Sequence, residues 1–103
     1  ISACLVGSEM CIRDRTYMDA HHQLAMIFWR REDWDTSLLH WQRLLSLDAC
    51  YEAAHYGIMR CYLQQGKREL ALRQFQACSQ ILHEELQTTP KASIQKLYRS
   101  IIG

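Results

Sequence analysis

Histidines and cysteines are the residues of this sequence most able to hold a metal ion or act as nucleophiles, and there are five of each. His21 and His22 are adjacent, so on a helix they point about 100° apart and cannot close on one ion. No HxxxH or HExxH pair occurs among His21, His22, His40, His55 and His83. Cys4, Cys11, Cys50, Cys61 and Cys78 include no CxxC pair and no histidine at zinc-ligand spacing. Reduced thiols are expected, with Cys61 and Cys78 as small core residues and Cys50 as a loop thiol placed to react. The spacing offers no Ser-His-Asp or Cys-His arrangement, and the isolated glycines build no phosphate-cradling loop. Neither catalysis nor a cofactor nor a metal is therefore expected.

Composition narrows the choice further. A chain of 103 residues is one small domain, and 49% hydrophobic against 22% charged residues is enough apolar material to pack a core. Twelve basic against eleven acidic residues leave a net charge of +1. That balance lacks the basic surplus with which a self-sufficient nucleic-acid binder neutralises phosphates. No apolar run approaches the roughly 20 residues that span a bilayer, so a cytoplasmic chain without membrane contact is expected.

Residues 1–15, ISACLVGSEMCIRDR, have neither helical nor strand periodicity, whereas everything after Thr16 is strongly periodic. The run Leu5 to Asp14 resembles a translated frame of a sequencing adapter. Residues 1–15 are accordingly expected to be non-native, with the domain proper at 16–103 and a native N-terminal region missing.

Shifting the sequence by 34 residues superposes its halves: Ala20 on Ala54, His21 on His55, Leu24 on Ile58, Phe28 on Tyr62, Ser37 on Ala71, Leu38 on Leu72 and Trp41 on Phe75. Large residues meet large and small meet small, as a repeated packing unit requires. Each unit reads as two helices. Leu24, Ile27 and Phe28 give the apolar stripe of a helix over about 17–31, and Leu38, Trp41, Leu44 and Leu45 that of a second. Residues 51–65, with Ala54, Ile58, Cys61 and Tyr62, repeat the first helix, which Gly66 ends. Residues 67–87, with Ala71, Leu72, Phe75, Cys78 and Leu82 inward, repeat the second, and Pro90 stops it. A last helix, about 92–102, offers Ile94, Leu97, Tyr98 and Ile101 as a cap.

The period and pattern resemble the tetratricopeptide repeat over residues 18–51 and 52–85. This resemblance implies an all-α fold, a right-handed solenoid of antiparallel helical hairpins with a C-terminal capping helix. His21 and His55 stand where that family often has Trp, and Met59 where a small residue is usual. A narrower resemblance is carried by Glu52-Ala53-Ala54-His55, Met59-Arg60, Gly66 through Phe75, Leu82-His83-Glu84-Glu85-Leu86, Pro90 and Leu97-Tyr98. These segments closely resemble the bacterial transcriptional activator domain of SARP-type regulators, with Gln87 in place of the family's usual Gly.

What the resemblance implies is a non-enzymatic regulatory and protein-interaction module that couples signal or oligomerisation to a winged-helix DNA-binding domain outside this sequence. Its implied partners are proteins: its own DNA-binding domain, a second copy or RNA polymerase. DNA would be reached only through the missing domain. The alternative is a repeat adaptor or sensor of a larger ATPase- or cyclase-linked signalling protein, with no direct promoter role. In solenoids of this kind the first helix of each hairpin lines the concave face. Here that face would carry Asp19, His22, Met26, Trp29 and Arg30, then Ala53, Tyr56, Arg60, Leu63 and Gln64. Of these, His22, Met26, Trp29, Arg30, Tyr56, Arg60, Leu63 and Gln64 are the candidates for partner binding. Aromatic, Met and Arg side chains together are what protein-recognition surfaces favour.

Overall fold

A computed structural model describes residues 12–103, with side chains from Arg15 onward. Among the described residues there are five α-helices and no strand: α1 (Ile12–Arg30), α2 (Trp34–Leu47), α3 (Glu52–Gln64), α4 (Arg68–Leu86) and α5 (Ala92–Ile102). Connections of three to five residues make each helix pack on the one before it, so the chain is an all-α stack of antiparallel hairpins closed by α5.

The first two hairpin turns are the same device placed 34 residues apart. At the end of α1 the N–H of Asp33 donates to Phe28 O (2.9 Å) and that of Glu32 to Trp29 O (3.0 Å); after α3, Lys67 donates to Tyr62 O (2.8 Å) and Gly66 to Leu63 O (3.1 Å). Both pairs cap orphan carbonyls around one left-handed residue, Gly66 at φ 74° and Glu32 at φ 60°. Asp33 then caps α2, its carboxylate accepting from the N–H of Thr36 at 3.3 Å. The end of α4 is a third left-handed position, Gln87 at φ 49°.

Two apolar clusters fill the stack. Met18, Ala25, Trp41, Leu44, Ala54, Ile58 and Cys61 join α1, α2 and α3. Met59, Ala71, Cys78, Leu82 and Ile94 join α3, α4 and α5. The small residue of each unit does the work the repeat assigns it. Ser37 is fully buried and its Oγ donates to Ala25 O at 2.7 Å, and Ala71 is equally buried one unit later.

Two expectations need correction. Helix α1 begins at Ile12 rather than near Tyr17. Arg15, Thr16 and Tyr17 are exposed, so this described stretch of the helix carries no core face and leaves no apolar period in the sequence. The expected non-native character of residues 1–15 falls largely outside the described residues. The second correction concerns the inward stripe of α1: Leu24 and Ile27 are each 37% exposed, and it is Met18 and Ala25 that enter the core. In the second unit the matching Ile58 and Cys61 are buried, within the cluster that includes Trp41 and Leu44 of α2. In the second unit α2 covers this face, and among the described residues no preceding helix covers it in the first.

Candidate protein-docking groove

Where α1, α2 and α3 meet, a cavity of about 240 Å³ opens on the surface, lined by His22, Met26, Trp29, Trp41, Ala53, Tyr56, Gly57 and Arg60. The helical period explains the grouping. His22, Met26 and Trp29 lie at i, i+4 and i+7 on α1, while Ala53, Tyr56, Gly57 and Arg60 lie at i, i+3, i+4 and i+7 on α3. Trp41 of α2 supplies the remaining wall.

Of the eight candidates from the sequence, the structure brings His22, Met26, Trp29, Tyr56 and Arg60 together in this cavity. Arg30 and Gln64 are exposed beyond it, and Leu63 packs against the α3–α4–α5 cluster. Trp41 and Gly57 were not singled out for the groove. Trp41 reads as a core residue and is one, 4% exposed, yet it also lines the groove. The signal for Gly57 is its occurrence inside an otherwise regular helix, where glycine costs stability and so marks a close approach.

Arg60 sets the electrostatics. Its guanidinium carbon lies 4.0 Å from the ring centroid of Trp29 and 5.3 Å from that of Tyr56. Cation–π attraction of this kind orients the guanidinium while leaving its N–H edge available. Trp29 is itself steadied by Trp34, their rings 4.7 Å apart at 58°. On the opposite side His22 Nδ1 lies 2.8 Å from the hydroxyl of Tyr51. Burial, then the charges of Asp19 and Asp48, push the Tyr51 pKa up. The phenol therefore stays protonated and shares a hydrogen bond with His22 Nδ1, and the ring of His22 sits edge-on to Trp41 at 5.0 Å.

The remaining candidate chemistry is structural. His55 is 1% exposed, with Nε2 2.8 Å from Ala49 O and Nδ1 2.7 Å from Gln74 Nε2. Its repeat partner makes the matching contact, His21 Nδ1 to His40 Nδ1 at 2.8 Å. Burial lowers the pKa of His55, and burial followed by His21 lowers that of His40. Burial raises the Cys61 thiol, against the opposing hydrogen bond of Ser37, and pushes Cys78 up to about 12. Cys61 and Cys78 are free and buried, as the sequence leads one to expect, but Cys50 is disulfide-bonded, which corrects the expectation of reduced thiols throughout.

Among the described residues no group of three or more His, Cys, Asp or Glu could hold a metal ion. None of the described helices is long and apolar enough to cross a membrane.

Residues 5–102 match the family model of the bacterial transcriptional activator domain. No curated protein and no solved structure matches the chain.

Proposed function

The chain belongs to the bacterial transcriptional activator domain family, and from that premise we propose that it is the non-enzymatic regulatory module of a transcriptional activator, with the α1–α3 groove as its docking surface for protein. In this reading it couples signal or oligomerisation to a winged-helix DNA-binding domain in the cytoplasm. Its partners are that domain, a second copy or RNA polymerase, and it reaches DNA only through the winged helix. The observation that carries the reading is the groove itself, in which Met26, Trp29, Tyr56 and Arg60 converge from two helices on one concave apolar cavity. Flexible Met, aromatic rings and Arg are the side chains enriched where protein surfaces bind each other.

The test is a promoter-reporter assay with the intact activator. Met26→Glu or Tyr56→Ala should abolish activation while operator affinity is kept. Leu39→Ala, at a position 64% exposed away from the groove, should leave activation unchanged. Full activation by both groove variants would contradict the reading.

A further inference from the structure

Resting on the reading of the groove as a docking surface, we propose that its occupant is an acidic peptide segment. One carboxylate would bind the N–H edge of Arg60, and a neighbouring large apolar side chain would fill the cavity between Met26, Trp29 and Trp41.

Two observations select this chemistry. Among the described residues Arg60 carries the one formal charge on the cavity wall, and no carboxylate lines it. Its guanidinium is held by the faces of Trp29 and Tyr56 and makes no hydrogen bond or ion pair among the described residues. A structural arginine at this depth would be expected to have found an acid or a carbonyl; Arg68, by comparison, donates twice to Ile101 O, at 3.2 and 2.9 Å. The guanidinium is thus an unpaired donor on the wall, and what is missing is an acceptor that carries negative charge.

The number of cations sets the type of anion. A single planar guanidinium matches a singly charged planar carboxylate in a two-pronged hydrogen bond, whereas a dianionic phosphate is met by clusters of arginines. The same count excludes a nucleic-acid backbone, which requires several phosphate contacts at once. The remaining wall is apolar, which suits a side chain of the Leu, Phe or Met class beside the acid. The two aromatic rings beside Arg60 also hold it in place before binding, so less conformational entropy is lost when the carboxylate arrives.

Random heptapeptides displayed on phage, selected on the full chain, test this directly. The expected outcome is enrichment of sequences with Asp or Glu next to a large apolar residue. Synthetic copies with Gln or Asn in place of the acid should bind about tenfold or more weakly. Arg60→Gln should cause the same loss and Arg60→Lys a partial one, with thermal melting confirming that each variant folds. Enriched neutral peptides that lose binding with Met26→Glu but not with Arg60→Gln would overturn the acidic specificity while leaving the groove as the docking surface. No enrichment, or enriched peptides indifferent to every groove substitution, would overturn both.

Discussion

Trp41 lies flat against the backbone of Gly57, so close that a Cβ added at Gly57 would stand 2.6 Å from Cδ2 of the indole and closer still to Cε2. The contact joins α2 to α3 at the floor of the groove and explains why a helix interior keeps a glycine. Gly57→Ala should therefore destabilise the fold by about 1–3 kcal/mol, the usual cost of forcing extra volume into a packed site. Urea unfolding would show it, and a second substitution, Trp41→Leu, should make the alanine much less costly than it is alone. Equal stability of parent and Gly57→Ala would mean that the indole is free to move.

Ala71, the repeat partner of Ser37, is the small residue of the second hairpin and is completely buried. Replacing it with Leu should cost roughly 1–3 kcal/mol by overpacking between α3 and α4. Leu39→Ala, on the exposed side of α2, should change stability by no more than about 0.5 kcal/mol. A thermal-melting comparison of the two variants would separate core from surface.

Gln87 occupies a left-handed conformation, φ 49°, that glycine adopts without steric cost. Gln87→Gly should raise stability by up to about 1 kcal/mol, since the relief of strain outweighs the added freedom of the unfolded chain. A lower melting temperature would show instead that the side-chain hydrogen bond from Gln87 Nε2 to Glu84 O, at 3.2 Å, contributes more than the strain costs.

His55 makes the fold sensitive to acid. Burial is the leading cause of its lowered pKa, and it opposes the favourable Ala49 hydrogen bond and the charges of Glu52 and Asp48. Because the folded value lies below the ordinary 6.5, the unfolded chain binds the proton more readily. Stability from this residue is complete above pH 6.5 and falls as pH drops below it toward the folded value. His40, also lowered, acts in the same direction. The midpoint of urea unfolding should thus fall between pH 7 and pH 5 in the parent and fall less in His55→Gln. Parallel pH profiles would contradict a buried neutral imidazole.

The repeat was legible because packing is periodic. His21 and His55, Ser37 and Ala71, and Glu32 and Gly66 occupy matching places in the structure as they do in the sequence. The inward stripe of α1 was misread because Leu24 and Ile27 repeat residues whose burial depends on a preceding helix, which periodicity within one helix does not reveal. Most of the groove, six of its eight lining residues, followed from helix register alone. Gly57 and Trp41 did not, since their joint role depends on how closely α2 approaches α3. The exclusion of Leu63 has a similar origin: it lies on the side of α3 that turns toward α4 and α5.

The central claim, that the α1–α3 groove receives protein, is tested most directly by placing a benzophenone amino acid at position 26 or position 39 of the intact activator and irradiating cells during active transcription. The account predicts cross-links from position 26 to an acidic segment of the activator's own DNA-binding domain, of a second copy or of RNA polymerase, with none from position 39. Cross-links from position 39 and none from position 26 would contradict it.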